Sequence, residues 1–375
     1  MLNLRDVFPR GLRVSSFSMR ERLVLIGKST AELRAWIAEL GEPAYRGNQL
    51  ATWIYRKAAD RFEVMTDLPA ALRTRLNEIA CISPNRIETV QRSHDGTLKC
   101  LLALQDEQVI ECVLLPYEDR ISVCLSTQVG CAMGCRFCAT AQGGFTRNLT
   151  AGEIIDQLLH LQRLSEQRIS HVVLMGMGEP LLNLENVLVA IRLIHEEVGI
   201  SMRRITLSTV GIVPKIYALA DQKLPLTLAI SLHAPDDETR ARMMPVSRKW
   251  KVADLLEAAR YYFERTGRRV TFEYLLLRGV NDTPRHARML AERLRDLPCL
   301  VNLIPFNYVP TPDNFQRPEP ERVKAFRQVL EQAGIRVTQR VERGHEIDAA
   351  CGQLRGKHLG KPLRFAMRPS PNAPL

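Results

Sequence analysis

Three cysteines stand in one short loop, Cys131-Ala-Met-Gly-Cys135-Arg-Phe-Cys138, at a spacing of three and then two residues. Thiolates are soft ligands that select zinc or iron–sulfur clusters. A closed zinc site needs four ligands, and the sequence offers no fourth ligand nearby. A cluster held by three cysteines keeps one iron open for a substrate or cofactor. We therefore predict a three-cysteine iron–sulfur site, with zinc binding and unligated core thiols as the alternatives.

Apolar strands that alternate with amphipathic helices along the chain must position this loop. Strand patterns recur at 121–126, 171–176, 204–209, 226–233, 270–277 and 300–306. Helical periodicity falls between them at 151–164, 184–197, 252–265, 284–296 and 319–333. Six such βα units predict an α/β fold with a parallel sheet, curved into a partial or full barrel. Ligands of such sheets bind at the carboxyl ends of the strands.

Polar residues follow several of the predicted strands at that end. The second strand runs into Gly176-Met-Gly178-Glu179-Pro180, where glycines permit close backbone approach and Glu179 offers a carboxylate to an ammonium group. The other polar residues at strand ends are Ser208, Ser231, His233 and Asn307. Any one of them alone would be read as a satisfied hydrogen-bonding residue. Their joint placement predicts a binding site.

Two further thiols point to covalent chemistry. Cys124 lies on the polar face of the first strand, and Cys351 lies in a glycine-flanked segment near the C-terminus. If both thiols face the interior of the predicted barrel, one could act as a nucleophile and the other as its reaction partner. The alternative is a structural role for both. The remaining thiols, Cys81, Cys100, Cys112 and Cys299, are predicted to lie in the core. Nine cysteines form an odd set that indicates a reducing cytosol rather than a disulfide framework.

Four segments lie outside the predicted barrel, which spans 120–356. Residues 1–28 form a basic arm that we expect to be disordered. The alternatives are a transit peptide, or a start codon assigned too early, with Met19 as the true start. Residues 29–82 predict a helical module, in which Ser29 and Glu32 begin the first helix. Residues 83–119 predict a small antiparallel β element with a hairpin at Asp95-Gly96. Residues 357–375 form a basic, proline-rich tail.

The composition favours a polyanionic partner. The net charge is +11 and the pI about 9.4, and basic side chains that neutralise phosphates release counterions. The helical module carries Arg46, Arg56 and Lys57 on one predicted helix, a face that either contacts RNA or is simply solvated. No run of about 18 apolar residues occurs, so no membrane span is predicted. A hydrophobic fraction of 46% excludes wholesale disorder.

The cysteine loop after the first strand resembles the radical S-adenosylmethionine superfamily. A longer set of motifs resembles one of its families, RlmN, over residues 30–356. These motifs are VCLSTQVGCAMGCRFCATAQGGFTRNL, GMGEPLLN, ITLSTVG, AISLHAPDDETR, VNLIPFN and IDAACGQL. The resemblance implies a partial (β/α)6 radical-SAM barrel with an N-terminal helical module and a small β element.

The RlmN resemblance also implies a role for each candidate residue. Cys131, Cys135 and Cys138 would hold a [4Fe-4S] cluster whose open iron binds S-adenosylmethionine. The cofactor site would be lined by Gly178, Glu179, Ser208, Ser231, Leu232, His233 and Asn307. Cys351 would carry the methyl group, and Cys124 would be its resolving partner. Glu111, on the β element, would be the general base.

The implied activity is methylation of C2 of adenine in 23S rRNA, at the peptidyl transferase centre, and in tRNA, 3′ of the anticodon. The C2–H group is neither acidic nor nucleophilic, so direct polar transfer from a sulfonium would fail. In the implied path, Cys351 is methylated first and a radical then forms on its S-methyl group and adds to C2. Glu111 removes the C2 proton, and a transient Cys124–Cys351 disulfide releases the product. The resemblance implies a cytoplasmic monomer that uses a donor such as flavodoxin or ferredoxin.

Three alternatives remain at this point. The nearest is the sister family that methylates C8 of the same rRNA adenine, although the ATAQGGFTRNL stretch and the N-terminal module favour C2. A radical enzyme acting on a non-RNA substrate would not require the basic charge, the Cys124 and Cys351 pair or the module. A non-enzymatic iron–sulfur RNA-binding protein would need no open iron.

Overall fold

The computed structural model describes residues 22–309, 313–341 and 343–354. The chain divides after Pro84 into two compact units. The predicted tail and the first 21 residues of the predicted arm lie outside the described residues. Among the helices that are described, none is both long and apolar enough to cross a membrane.

Over its described residues, 22–84, the first unit contains three α-helices and a two-stranded parallel sheet. Its elements are β1 (Leu23–Val24), α1 (Thr30–Glu39), α2 (Tyr45–Ala51), α3 (Ala70–Ile79) and β2 (Ala80–Cys81). A π turn, Thr52–Arg56, continues α2, and a 3-10 turn covers Phe62–Val64. The predicted start of α1 is confirmed, because Ser29 and Glu32 form a reciprocal capping box. The predicted arm boundary at residue 28 is wrong, since β1 pairs with β2 and Leu25 is fully buried.

A close helix crossing organises this unit. At Gly47 in α2, an added Cβ would lie 2.5 Å from the backbone of Arg34 in α1. Only a residue without a side chain allows the two helix backbones to approach this closely. The apolar residues that predicted the helices, including Leu33, Ile37 and Ile54, are fully buried.

The second unit is built on a ten-stranded sheet with the order β14-β13-β12-β11-β10-β9-β6-β5-β4-β3. Its strands and those of a small separate pair, β7 and β8, are β3 (Arg86–Arg92), β4 (Leu98–Ala103), β5 (Val109–Pro116), β6 (Ile121–Cys124), β7 (Gln128–Gly130), β8 (Phe145–Asn148), β9 (His171–Leu174), β10 (Ile205–Thr209), β11 (Thr227–Ser231), β12 (Val270–Leu276), β13 (Cys299–Pro305) and β14 (Arg336–Gln339). The strands from β6 to β14 in the large sheet are mutually parallel. Their carboxyl ends therefore meet at one edge.

Helices follow most of the parallel strands. They are α4 (Ala139–Gln142), α5 (Ala151–Leu164), α6 (Leu184–Leu193), α7 (Val213–Asp221), α8 (Asp237–Met243), α9 (Val252–Thr266), α10 (Pro284–Leu294) and α11 (Pro320–Gln332). All six predicted strands and all five predicted helices are present. The sequence did not predict α4, α7, α8, β7, β8 or β14. All of these are short elements of nine residues or fewer, and β14 is also a mostly exposed edge strand without apolar alternation.

The small antiparallel β element is continuous with the large sheet. Its hairpin at Asp95-Gly96 joins β3 to β4 as predicted, and β4 pairs with β5. Strand β5 then pairs antiparallel with β6, with Val113 opposite Cys124. Strand β4 is buried along its whole length, which explains why it extends the core instead of folding separately.

Candidate active site

The three cysteines of the predicted cluster lie in a loop that the β7–β8 pair closes at its base. Gly130 precedes the loop at φ +76°, and an added Cβ would lie 2.0 Å from the carbonyl oxygen of Gly144. The amide of Cys131 donates to that carbonyl at 2.7 Å. Cys131, Cys135 and Cys138 all line one cavity at the carboxyl ends of the parallel strands. The structure thus brings the three predicted ligands together.

The donor chemistry of this loop fits a cluster better than a single ion. Burial raises the pKa of Cys131 to about 12 and raises that of Cys135 and Cys138, and neighbouring thiols add to the shift of Cys135. Within the described residues, no three His, Cys, Asp or Glu side chains are placed to hold one metal ion. A tetrahedral zinc with bonds of about 2.3 Å holds its sulfurs within about 4 Å of each other. In a cluster each thiolate binds a different iron, so the sulfurs stand further apart.

An orphaned buried cation beside the loop also fits an anionic group. Arg240 is fully buried, and its Nη1 has no hydrogen-bond partner among the residues of the structure. Burying an uncompensated charge is costly, so a nearby negative group is expected. A [4Fe-4S] core held by three thiolates carries net negative charge and would supply that compensation.

Five of the seven predicted cofactor residues line the same cavity as the cysteines. They are Gly178, Glu179, Ser208, Ser231 and His233. Leu232 is fully buried behind this wall, and its backbone amide donates to the Glu273 carbonyl at 3.1 Å. Asn307 lines a second cavity, which adjoins the first through shared residues such as Cys138 and Met175.

Glu179 is held by backbone donors at the end of β9. Its carboxylate accepts from the amides of Leu181, at 3.0 Å, and Val210, at 2.8 Å. Burial raises the pKa of Glu179 to about 7, although these hydrogen bonds oppose the shift. The preceding Gly178 has φ +103°, and an added Cβ would lie 2.6 Å from the Gln128 side chain. The carboxylate therefore has a fixed position in the cavity wall.

His233 presents a neutral imidazole to the first cavity. Its Nδ1 accepts a hydrogen bond from the Leu275 amide at 3.0 Å, which leaves the proton on Nε2. Burial, and then the charge of Arg240, lower the pKa of His233 to about 3. The edge of the ring meets Phe137, with centroids 5.0 Å apart. The imidazole can thus donate from Nε2 without carrying charge.

The second cavity brings Cys124 and Cys351 together. Both line it, and Arg340 lies between the two cavities. Burial raises the pKa of Cys124 to about 12; the Cys351 thiol adds to this shift and Arg340 opposes it. The thiol of Cys351 in turn raises the pKa of Arg340, so this guanidinium stays charged beside both sulfurs. None of the nine cysteines forms a disulfide in this structure.

Glu111 is not among the residues that line either cavity. It is buried on β5, and Nζ of Lys99 on β4 lies 3.4 Å from its Oε1. The same ammonium donates to the Asp348 carbonyl at 3.4 Å, three residues before Cys351. The structure thus connects the predicted base to the Cys351 segment through Lys99, a residue that the sequence analysis did not identify.

The Cys351 segment is fixed from two sides. On one side, the β3–β4 hairpin contributes Ser93, whose hydroxyl donates to Glu346 at 2.6 Å, and Asp95, which accepts from the Gly344 amide at 3.0 Å. On the other side, the Ala139 amide after the cysteine loop donates to the Gly352 carbonyl at 2.7 Å. Cys351 is therefore held between the hairpin and the cluster loop.

Comparison with known proteins agrees with this geometry. Residues 125–290 match the radical SAM superfamily, and residues 24–82 match the ribosomal RNA large subunit methyltransferase N-terminal domain. A probable dual-specificity RNA methyltransferase RlmN from Symbiobacterium thermophilum is 50% identical, over 92% of this chain and 95% of the relative. A protein of the same description from Bacillus subtilis is 46% identical, over 87% of this chain and 91% of the relative.

The chain belongs to the RlmN family. A crystal structure of a radical SAM methyltransferase from Sphaerobacter thermophilus has the same fold, with a TM-score of 0.86 and 44% identity. The alignment covers 89% of this chain and all of the other. The RlmN resemblance and the fold class predicted from the motifs are both confirmed.

Proposed function

We propose that this chain is a dual-specificity RNA methyltransferase that methylates C2 of adenine in 23S rRNA and in tRNA. The observation that carries the proposal is the meeting of two adjoining cavities, one lined by three cysteines and one by the Cys124 and Cys351 pair. A radical enzyme with a small substrate needs the first cavity and has no use for a second pair of thiols. The names of the RlmN relatives support an RNA substrate.

The first cavity would hold the cofactors. Cys131, Cys135 and Cys138 would bind a [4Fe-4S] cluster, and Glu179 and His233 would orient S-adenosylmethionine. The other candidate contacts are Gly178, Ser208, Ser231, Leu232 and Asn307. When bound, these groups supply the methyl group and the one-electron chemistry that an unactivated C2–H requires. A small one-electron donor protein such as flavodoxin or ferredoxin would deliver the electrons.

Cys351 would carry the methyl group. The thiolate is the nucleophilic form of cysteine. The Arg340 guanidinium lies beside Cys351 and lines both cavities with it. The hairpin and the cluster loop hold the segment, so the sulfur would face both cavities at the junction.

Cys124 would release the product. Its sulfur would attack the Cys351 sulfur, so that the bond from Cys351 to the RNA carbon breaks. The carbon keeps the electron pair and takes up a proton, which completes the methyl group. The two sulfurs then form a disulfide, which a cellular dithiol reduces before the next turnover. Glu111 would accept the C2 proton. Its connection to the Cys351 segment through Lys99 supports this role.

The experiment is anaerobic cluster reconstitution followed by incubation with methyl-deuterated S-adenosylmethionine and either 23S rRNA or tRNA. Mass spectrometry of the nucleosides should show deuterated 2-methyladenosine from both RNAs. Cys351→Ala should keep the cluster and lose methylation, and the matched variant Cys299→Ala should keep both. Detection of 8-methyladenosine would instead assign the chain to the sister family that methylates C8. A fully loaded enzyme that methylates neither RNA would contradict the proposal.

A further inference from the structure

Arg240 is a buried cation whose donors are only partly used. It lies on α8 with no exposed surface. Its Nε donates to the Leu232 carbonyl at 3.0 Å, and its Nη2 donates to the carbonyls of Val210, at 2.6 Å, and Ser231, at 3.1 Å. These bonds tie together the ends of β10 and β11. Within the described structure, Nη1 has no partner.

The helix that carries Arg240 is attached to the cluster loop. The amide of Arg136, directly after Cys135, donates to the carbonyl of Met243 at the end of α8 at 2.9 Å. Gly134 approaches Pro245 just beyond the helix, since an added Cβ would lie 3.6 Å from the proline ring. Two of the carbonyls that accept from Arg240 belong to Val210 and Ser231, which line the same cavity as Cys131, Cys135 and Cys138.

Among the residues that the structure describes, no carboxylate is hydrogen-bonded to Arg240. Its three hydrogen-bond acceptors are neutral carbonyls. Asp237, on the same helix, acts on Arg240 without a hydrogen bond between them, and its carboxylate already accepts from the Val252 amide at 2.7 Å. A charge buried in this way needs compensation from a partner that is negative when the site is loaded.

We propose that Arg240 is a positioning residue that directs its free Nη1 donor toward the iron–sulfur cluster beside Cys135 and raises the reduction potential of the cluster. Hydrogen bonds to the sulfurs and a nearby positive charge both stabilise the reduced, more negative state. The inference rests on the proposed cluster site, but it is independent of the RNA substrate. The higher reduction potential would make it easier for the cluster to accept an electron from an external donor.

The test is an EPR-monitored redox titration of the reconstituted full chain with dithionite. Arg240→Gln removes the charge and keeps a donor. At a fixed solution potential its ratio of reduced to oxidised cluster should fall at least tenfold, equivalent to about 59 mV for one electron. Arg242→Gln removes the same charge from an exposed position of the same helix and should match the wild type. An Arg240→Gln titration that coincides with the wild type overturns the inference.

A second measurement does not depend on the stability of that variant. Reduced wild-type protein containing guanidino-15N-arginine should show a 15N coupling to the cluster in electron–nuclear double resonance, and labelled Arg240→Lys should lack it. A wild type without coupling, or a coupling that Arg240→Lys retains, overturns the inference. Iron content is measured first, because a wild type that takes up no cluster contradicts the proposed cofactor instead.

Discussion

Lys99 and Glu111 form an ion pair across neighbouring antiparallel strands, with 3.4 Å between Nζ and Oε1 and side chains only 10% and 8% exposed. Lys99 also donates to the Asp348 carbonyl, so one ammonium serves both the predicted base and the segment of the predicted methyl carrier. Buried pairs of this kind contribute little net stability when intact, but breaking one leaves a charge in a poor solvent.

Lys99→Met should therefore destabilise the second unit. Removing the cation from beside a buried carboxylate costs about 3 kcal/mol in the free energy of unfolding. Urea denaturation under anaerobic conditions measures this loss. Arg86→Met, which breaks the exposed pair between Arg86 on β3 and Glu107 in the β4–β5 turn, should leave the midpoint near that of the wild type. Adding Glu111→Gln to Lys99→Met should recover part of the loss; an additive double variant argues against a direct pair.

Gly178→Ala should weaken binding of S-adenosylmethionine. The new Cβ would meet Gln128 at 2.6 Å, and Gln128 accepts from the Glu179 amide, so the carboxylate would move. Gly267→Ala has the same kind of backbone strain, at φ +65°, but meets no atom within 4 Å. Comparing the two by equilibrium dialysis separates close approach from strain. We expect at least a tenfold weaker affinity for Gly178→Ala alone; equal affinities would contradict the predicted contact.

His233 should make the protein less stable in mild acid. Its pKa is lowered to about 3 by burial and by Arg240, so it stays neutral in the folded state, while the unfolded side chain binds a proton below pH 6.5. Stability therefore falls as the pH drops from about 6.5 toward 3, by about 2 kcal/mol between pH 7 and pH 5. Denaturation of His233→Gln should lack this component. His94→Gln, at an exposed position, should keep it, and an identical pH dependence in His233→Gln would exclude the assignment.

Cys124→Ala should trap the protein on its RNA. Without the second sulfur, the bond between Cys351 and the RNA carbon cannot be exchanged for a disulfide. A shifted band on a denaturing gel that nuclease removes measures the adduct. The matched variant Cys299→Ala, which loses a buried thiol from β13, should turn over without accumulating it. Slow turnover of Cys124→Ala with no adduct would argue that Cys124 plays another part.

Lys57 should contribute one phosphate contact from the first unit. Its ammonium lies 3.5 Å from the centroid of the Trp53 ring, and the sequence leaves open whether the basic face around it contacts RNA or is solvated. Lys57→Gln should reduce the slope of log affinity against log salt by about 0.7 to 0.9. Lys324→Gln, an exposed lysine on α11, provides an equal charge change. An unchanged slope would assign Lys57 to the solvated surface.

The sequence was most informative where short-range pattern decides structure. Period-two and helical spacing located the six strands and five helices, and the cysteine loop fell at a strand end because parallel strands place their connections there. The sequence did not predict β14, because this edge strand is mostly exposed and so lacks the alternating apolar residues of a strand with a buried face. The sequence identified Cys124 and Cys351 as candidates. It did not identify Arg340, whose guanidinium lies beside both sulfurs, because Arg340 directly follows β14.

Partners of buried charges could not be read from the sequence. Glu111 was identified through the RlmN motifs, whereas Lys99 depends on the register of β4 against β5 and of both against residue 348. Arg240 belongs to the motif AISLHAPDDETR, but the sequence does not show which of its donors are used. In the structure three carbonyls accept from Nε and Nη2, and Nη1 has no partner among the described residues. Such roles arise from contacts between residues far apart in the chain.

The contacts that fix the Cys351 segment have a consequence for folding. Ser93 and Glu346, and Asp95 and Gly344, are joined across about 250 residues of chain. A ribosome releases the hairpin long before residues 344–351, and distant contacts form only after the entropy of closing the intervening loop is overcome. We therefore expect Cys351, the proposed methyl carrier, to reach its place last, after the parallel strands have paired. The nascent protein would complete its core before it acquires its reactive sulfur pair.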